Sequence, residues 1–339
     1  MSNVVPLKPP PALAVKDLTT GLRIRGAWHE AVRGVSFEVA PCETVALVGE
    51  SGCGKSLTAM SVMGLLPAKV GKILAGSVTV DGREMVGLAE RELESLRGNL
   101  VSMIFQEPMT SLNPVLPVGF QIAETLRRHR GLDGAAARAE VLRLMNRVQI
   151  PASAKRIDDY PHQFSGGMRQ RVMIAMAVAC RPKVLLADEP TTALDVTIQA
   201  QVLNLIQELQ AEDGMAVLFI THNLGVVASI AQRVVVMYGG DVVETAQVED
   251  FFARPSHPYS AALLSSVPRA DRRPEALEPI PGQVPTLLQM PVGCRFQSRC
   301  PQAMPKCVER PPLVPVDGRS DHRMRCWLGV PPGAGQEDA

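Results

Sequence analysis

The chain has 339 residues, of which 46% are hydrophobic and 20% are charged, as in an ordinary soluble globular protein. Its 35 Lys and Arg residues nearly balance 34 Asp and Glu residues, which excludes a strong overall field for nucleic acid or acidic lipid. No segment approaches the ~18 consecutive apolar residues that suggest a membrane span. The first residues, MSNVVPLKPPPALAV, lack the features of a secretory signal. We interpret them as a short tail stiffened by proline, and we expect a cytoplasmic protein with reduced thiols.

Strand patterns dominate the first third of the chain. The run ETVALVGESGCGKSLTAMSVMGLL (43–66) is typical of a strand, a glycine-rich turn and a helix. GSVTVDGREM (76–85) predicts an antiparallel hairpin around an Asp-Gly turn. LVSMIFQEP (100–108) predicts a buried strand that ends at Pro108. From about 109 to 180 a helical period takes over, as in AAARAEVLRLMNRVQI (135–150).

Three more apolar runs follow, KVLLADEP (183–190), MAVLFITH (215–222) and RVVVMYGG (233–240), with an amphipathic helix pattern at 197–210 between the first two. This alternation predicts an α/β fold with a mostly parallel sheet covered by helices. The helical block at about 109–180 would then be an inserted subdomain. Proline becomes frequent after residue 254, so we predict two domains, 1–254 and a small loop-rich module at 255–339.

The glycine-rich turn has the pattern G-x-x-x-x-G-K-[ST] between a strand and a helix, which indicates a phosphate-binding loop. Its backbone N–H groups and the helix N-terminus would hold the phosphates. We expect Lys55 to reach the β- and γ-phosphates, and the hydroxyl of Ser56 to bind magnesium. The predicted nucleotide-binding residues of this loop are Gly49, Ser51, Gly52, Gly54, Lys55, Ser56 and Leu57.

Polar residues end three of the predicted strands. Asp188 would hold magnesium through water, and Glu189 would orient or deprotonate the attacking water. Two adjacent acids can also be mere surface capping, but the phosphate loop favours function. Gln106 could approach magnesium and water, and His222 could contact the γ-phosphate. Each is a weak signal alone, but together they mark the crevice in which such sheets bind ligands.

QFSGGMRQR (163–171) places Ser165, Gly166 and Gly167 at the start of a helix, where a hydroxyl and free N–H groups can bind an anion. In isolation this would be an ordinary helix cap. The order of phosphate loop, Gln106, SGG, Asp188-Glu189, TALD (192–195) and His222 resembles the ATP-binding subunits of ABC transporters. The resemblance covers nearly the whole chain.

This resemblance implies a RecA-like P-loop ATPase with an antiparallel β subdomain, which binds ATP and Mg²⁺. It implies that SGG binds the γ-phosphate of ATP held by the opposite subunit of a head-to-tail dimer. Asp195 would lie in the loop that crosses the interface, and Gln106 in the loop that senses the membrane subunits. Asn223 stands where many members have Asp. The aromatic residue that stacks on adenine is expected near the aliphatic Leu22, so Trp28 is the candidate, although packing on the core is as good an interpretation.

QEPMTSLNP, FSGGMRQR, HPYSAALLSSVP (257–268) and the segment 280–307 resemble the oligopeptide/dipeptide branch, which also contains nickel importers. That implies a peripheral subunit on the cytoplasmic face of the bacterial inner membrane. Its implied partners are a second, homologous ATPase subunit, two transmembrane permease subunits and an extracytoplasmic substrate-binding protein, with no nucleic acid. A soluble ABC ATPase acting on DNA or ribosomes would need coiled-coil inserts, two cassettes or a basic face, and the sequence has none of them. An accessory subunit that hydrolyses poorly is disfavoured by Glu189 and His222.

Four cysteines, Cys294, Cys300, Cys307 and Cys326, lie in the last fifth of the chain without the C-x2-C pairs of common zinc sites. Four thiolates suit zinc or an iron–sulfur cluster, and four reduced thiols without metal are the third possibility. In the peptide-transporter branch this set resembles the one that ligates a [4Fe–4S] cluster, which is the interpretation we adopt.

Overall fold

The computed structural model describes residues 10–107, 111–192, 194–266 and 280–330. It divides into two compact units that are interleaved along the chain. Unit 1 comprises the described residues of Met1–Ala14, Glu38–Glu43 and Val78–Phe219. Unit 2 comprises Val15–Phe37, Thr44–Ser77 and the described residues of Ile220–Ala339.

Twelve strands and ten helices are named here in chain order over the described residues. The strands are β1 Leu13–Ile24, β2 Ala27–Val39, β3 Thr44–Val48, β4 Gly71–Val80, β5 Arg83–Glu84, β6 Val101–Ile104, β7 Val184–Asp188, β8 Ala216–Thr221, β9 Arg233–Tyr238, β10 Asp241–Gln247, β11 Val314–Val316 and β12 Arg319–Met324. The helices are α1 Lys55–Met63, α2 Glu90–Leu96, α3 Val118–Arg130, α4 Gly134–Arg147, α5 Ser153–Arg156, α6 Gly166–Val178, α7 Val196–Asp213, α8 Leu224–Ile230, α9 Val248–Ala253 and α10 Pro258–Ser265.

In unit 1, buried parallel strands carry a helical insertion. β6 and β7 pair in parallel, with Val101 opposite Val184, and β8 follows in the order β8-β7-β6. All residues of these three strands are buried, as expected for strands covered on both faces. Helices α3 to α6 occupy the predicted insertion, where α3 packs against α4 and α6. The predicted strand end at Pro108 lies outside the described residues.

The helices of the insertion bury one face each, at the spacing that the sequence predicted. The buried residues are Val118, Ile122 and Leu126 of α3 and Val141, Leu144 and Met145 of α4. Residues four apart lie on the same face of a helix, so each set forms one apolar stripe.

The predicted hairpin is also present, since Thr79 of β4 pairs with Glu84 of β5.

In unit 2, β3 pairs in parallel with β9, and β9 pairs with β10 in antiparallel register. The strands continue in the order β11-β12-β10, with Glu244 opposite Met324. Residues from beyond the predicted boundary at 254 therefore extend this sheet through β11 and β12. The C-terminal residues are loop-rich, as predicted, but they have no separate sheet within the described ranges.

Three aromatic rings join the C-terminal residues to the strands of unit 2. Tyr238, Tyr259 and Phe296 are fully buried, and their ring centroids lie 4.8 to 5.3 Å apart in edge-to-face contacts. Such pairs contribute about 0.5–1.5 kcal/mol each beyond the area that they bury. These contacts fix the C-terminal residues against β9.

The interpretation of the first fifteen residues as a tail was wrong at its end. Leu13, Ala14 and Val15 are buried and begin β1. Apolar burial decides their structure, although the preceding prolines disfavour regular pairing. Residues 1–9 lie outside the described part of the chain. Among the helices in the described ranges, none is both long and apolar enough to cross a membrane.

Candidate active site

The phosphate loop lies in unit 2, between the buried strand β3 and helix α1, as predicted. Gly49 has φ +153°, and a Cβ atom there would lie 2.2 Å from the carbonyl oxygen of Met237. Gly54 precedes α1 with φ +101°. Because side chains are strained or excluded at both positions, glycine is required for the turn. Ser51 and Gly52 are exposed, and Ser56 and Leu57 are half-buried in the first turn of α1.

The ammonium of Lys55 is held by the loop itself. Its Nζ donates to the carbonyl oxygens of Gly49 at 2.8 Å and Glu50 at 3.1 Å, and the side chain is buried. Cys53 Sγ lies 3.7 Å from the same Nζ. Burial raises the pKa of the Cys53 thiol and outweighs the opposing charge of Lys55, so the thiol is neutral at pH 7. A charged lysine at the start of a helix is suited to bind phosphate.

The acidic residues lie in unit 1. Asp188 is the last residue of β7 and is buried, and Glu189 follows it half-buried, with φ +46°. A non-glycine residue in this region is strained by about 1–2 kcal/mol, and such strain concentrates at functional positions. The carboxylate Oε2 of Glu189 accepts hydrogen bonds from Gln106 Nε2 at 3.1 Å and Thr192 Oγ1 at 2.9 Å. Unit 1 therefore brings the predicted Gln106 and Glu189 together.

His222 follows β8 and is exposed. The next residue, Asn223, caps helix α8, because its Oδ1 accepts hydrogen bonds from the N–H groups of Gly225 at 3.0 Å and Val226 at 3.4 Å. Asn and Asp are equally good at this helix position. Asn223, which stands where many family members have Asp, therefore keeps the helix cap next to His222.

The SGG turn begins helix α6 in unit 1. Ser165 caps the helix, with its Oγ accepting from Met168 N at 3.4 Å, and both Ser165 and Gly166 are exposed. A Cβ atom on Gly167 would lie 2.7 Å from Cγ2 of Ile198 in α7, so its missing side chain lets the two helices approach. Asp195 caps α7 through a 2.9 Å bond from Ile198 N. Ala193, within the predicted TALD segment, lies outside the described residues.

Trp28 lies in β2 and is half-buried. Lys72 Nζ lies 4.5 Å from the centroid of its ring, a cation–π contact. One ring face is therefore already in contact with a cation, which competes with the predicted stacking on adenine.

The four C-terminal cysteines lie in one neighbourhood of unit 2. Cys294 N donates to Cys307 O at 2.9 Å. Burial raises the pKa of Cys294 to about 11, and the other three cysteines contribute to the same shift. All four thiols are free. Among the described residues, however, no group of three or more His, Cys, Asp or Glu could hold a metal ion.

Two residues at the phosphate loop were missed by sequence reasoning. Tyr259 OH accepts a hydrogen bond from the N–H of Glu50 at 2.8 Å, and Arg299 forms a 2.6 Å ion pair with the Glu50 carboxylate. HPYSAALLSSVP (257–268), one of the segments that carry the family resemblance, was the available signal for Tyr259. Arg299 gave no signal of its own.

A glycine-rich loop with a buried lysine between a parallel strand and a helix, together with acids at the end of a second parallel strand, defines an α/β P-loop ATPase. The family of ABC transporter ATP-binding domains matches residues 32–192, and the oligopeptide/dipeptide transporter C-terminal region matches residues 243–307. The chain belongs to the ATP-binding proteins of ABC transporters, in the branch that carries this C-terminal region.

Similar proteins span nearly all of the chain. The dipeptide transport ATP-binding protein DppD of Bacillus subtilis is 49% identical over 93% of this chain and 94% of its own length. The oligopeptide transport ATP-binding protein OppD of Salmonella typhimurium is 50% identical over 92% of this chain and 94% of its own length. A dimeric ATP-binding cassette solved in a post-hydrolysis state with ADP and Pi has a TM-score of 0.62 and 28% identity, and the match covers 70% of this chain and 98% of that one.

Proposed function

We propose that this chain is the ATP-hydrolysing motor subunit of a bacterial importer of dipeptides or oligopeptides. The observation that carries the proposal is the phosphate loop with its buried Lys55, in a chain that also contains the oligopeptide/dipeptide transporter C-terminal region. Relatives about half identical over nearly the full length are named for peptide transport, which supports the solute class.

The proposed hydrolysis gives each predicted site residue a role. Lys55 and the loop N–H groups bind the phosphates, while Ser56, Asp188 and Gln106 hold magnesium and its water. Glu189 accepts a proton from the attacking water, and His222 contacts the γ-phosphate. The bonds from Gln106 and Thr192 orient the Glu189 carboxylate.

The proposed ATP sites are completed by a second subunit. Ser165 and Gly166 expose a hydroxyl and N–H groups at the start of α6, a 13-residue helix suited to a phosphate from outside the subunit. Asp195 caps α7, and Ile198 of that helix packs against Gly167 of the SGG turn. The similar cassette solved as a dimer with ADP and Pi supports a dimeric arrangement.

The proposed partners are a sister ATPase, two membrane permeases and an extracytoplasmic binding protein, with the chain bound peripherally at the inner face of the membrane. The test is to tag the chain, solubilise native membranes gently and identify every co-purifying protein. Recovery of permeases and a peptide-binding protein is the expected result. A binding protein for nickel or another small solute would replace the peptide assignment, and recovery of ribosomes or DNA instead would overturn the importer proposal.

We also propose that Cys294, Cys300, Cys307 and Cys326 hold a [4Fe–4S] cluster. Four free thiols in one loop-rich neighbourhood have the donor chemistry of such a cluster. In a [4Fe–4S] cluster each thiolate binds a different iron, so the four sulfurs need not converge on one ion. When bound, it would crosslink the loops through metal–sulfur bonds.

Iron and acid-labile sulfide in the anaerobically purified chain test this second proposal. We expect about four of each per chain, as the cluster formula requires. Cys300→Ser should lower both, while Cys42→Ser, which changes an exposed cysteine outside the set, should lower neither. Stoichiometric zinc, or four titratable thiols without metal, would overturn the cluster assignment.

A further inference from the structure

Glu50, the second residue of the phosphate loop, is held from two sides by residues of the C-terminal region. Arg299 Nη1 donates to Oε2 of Glu50 at 2.6 Å, and Nη2 donates to Oε1 at 3.1 Å, in a bidentate pair. The hydroxyl of Tyr259 accepts the backbone N–H of Glu50 at 2.8 Å. Both the side chain and the main chain of Glu50 are therefore fixed, and all three residues belong to unit 2.

The guanidinium of Arg299 is also held in place by groups other than Glu50. Its Nε donates to Pro281 O at 2.8 Å, and its other nitrogens donate to Ile280 O and the hydroxyl of Tyr238, each at 3.3 Å. The Arg299 side chain is only 5% exposed. Little side-chain freedom remains to be lost, so the bidentate contact with Glu50 is preorganised.

Tyr259 is also anchored at its base. Its N–H donates to Nδ1 of His257 at 3.0 Å, and the N–H of His257 donates to Oε2 of the fully buried Glu244 at 2.8 Å. Burial raises the pKa of the Tyr259 phenol, so its hydroxyl is neutral and accepts the Glu50 N–H. This series of bonds connects β10, the start of α10 and the phosphate loop, and it gives the HPY sequence a role.

The charge of Glu50 makes the contact with Arg299 important for a nucleotide. A carboxylate in a phosphate loop repels the triphosphate, and a loop that is free to move loses the converging N–H groups. The bidentate arginine neutralises that carboxylate and fixes its direction. Solvent weakens the effect, since the Glu50 side chain is 26% exposed.

We propose that Arg299 and Tyr259 are positioning residues for ATP. Both act through Glu50 to hold the phosphate loop in its binding conformation, and Arg299 also cancels the negative charge of the Glu50 carboxylate. The C-terminal region of this chain thereby sets the affinity of the loop for nucleotide. This inference rests on the proposed function of the loop as an ATP site.

The test measures the affinity of the full-length chain for Mg²⁺-AMP-PNP, a non-hydrolysable ATP analogue, by titration calorimetry. Arg299→Met should weaken binding about tenfold, less than the loss of a fully buried charge partner, because the pair is partly solvated. Adding Glu50→Gln to Arg299→Met should recover most of the affinity, since no uncompensated charge remains. High salt should narrow the difference between wild type and Arg299→Met.

Arg319→Met is the matched control. Arg319 also belongs to the C-terminal region and forms a bidentate pair, with Asp250 at 2.5 and 3.0 Å, but its partners lie outside the loop. It should bind the analogue as the wild type does. Tyr259→Phe should weaken binding by about threefold, because the N–H of Glu50 loses its acceptor.

The outcomes separate this inference from the proposed function. If the wild type does not bind the analogue, or Lys55→Ala binds as tightly, the ATP site itself fails. If wild type binds and Lys55→Ala does not, but Arg299→Met binds normally or is not rescued by Glu50→Gln, only the positioning role fails. Should Arg299→Met not fold, Arg299→Gln removes the charge while keeping a donor toward Glu50, and the same comparison with Glu50→Gln applies.

Discussion

Gln106 and Glu189, which are 83 residues apart in the chain, share a 3.1 Å hydrogen bond from the amide Nε2 of Gln106 to Oε2 of the carboxylate. Gln106 lies two residues beyond the end of β6, and Glu189 directly follows β7, the parallel neighbour of β6. The amide nitrogen can only donate, so the carboxylate oxygen of Glu189 is the acceptor of this bond. This bond orients the carboxylate that we propose as the acceptor of a proton from water.

Glu189→Gln should abolish this proton acceptor while leaving nucleotide binding intact. We expect ATP hydrolysis to fall by roughly 10²–10⁴-fold, the usual contribution of a general base. Because ATP would still bind, the protein should accumulate as a closed dimer in the presence of Mg-ATP. Phosphate release and size-exclusion chromatography measure the two effects. Glu94→Gln, which removes an exposed surface pair with Arg128, is the control and should hydrolyse ATP at the wild-type rate. Hydrolysis at the wild-type rate by Glu189→Gln would contradict the proposed role of Glu189.

Gly49→Ala should destabilise the protein far more than Gly52→Ala. At Gly49 a Cβ atom would lie 2.2 Å from Met237 O and 2.8 Å from Cys53 Sγ, so the backbone has to shift, at a cost on the order of 3 kcal/mol. At Gly52 nothing lies within 4 Å, and only the strain of φ +77° remains, about 1 kcal/mol. Urea unfolding of both variants measures the difference. Equal free energies of unfolding would show that the loop relaxes freely.

His257 should make the protein less stable as the pH falls below neutrality. Burial lowers the pKa of His257 from 6.5 to about 4, against the opposing charge of Glu244. Between pH 6.5 and 4 the unfolded chain binds a proton at this histidine that the folded chain does not. Stability therefore falls as pH falls through this window, by roughly 3 kcal/mol in total.

His257→Asn isolates this contribution, since asparagine keeps an acceptor for the N–H of Tyr259 but has no proton to gain. The free energy of unfolding, measured from pH 7 to pH 4, should fall less steeply in this variant than in the wild type. Burial would raise the pKa of Glu244, but hydrogen bonds from His322 and nearby groups outweigh it, and the pKa is lowered. The stability that Glu244 contributes is therefore lost at lower pH in the wild type and in the variant alike. Parallel pH profiles would mean that His257 is protonated in the folded state.

Asn223→Asp should leave stability unchanged, whereas Asn223→Ala should lower it by about 1 kcal/mol. The reason is that the side-chain oxygen satisfies the N–H groups of Gly225 and Val226 at the start of α8. Urea unfolding distinguishes the two variants. A loss of stability in Asn223→Asp equal to that in Asn223→Ala would indicate that the amide group, and not the acceptor oxygen, is needed at this position.

The sequence was most informative where function depends on local conformation. The turn from Gly49 to Ser56 requires glycines at fixed offsets. The parallel strands are recognisable as short apolar runs that end in polar residues. Local patterns were misleading at Leu13 and Val15, where prolines nearby suggested a tail but burial made a strand. For the cysteines, spacing gave four candidate ligands, and it could not give the distances between them.

The sequence by itself determined the phosphate loop, the alternation of apolar strands with helices, and the acids at the end of β7, because each depends on neighbours within a few residues. Only the tertiary structure decided that Glu189 is bonded to Gln106, and that Glu50 is held by Tyr259 and Arg299, which are 209 and 249 residues away in the chain. Contacts at such separations follow from how packed elements meet, not from propensity or period. The physical reason is that burial against distant segments, which no local pattern encodes, fixes which polar groups must find one another.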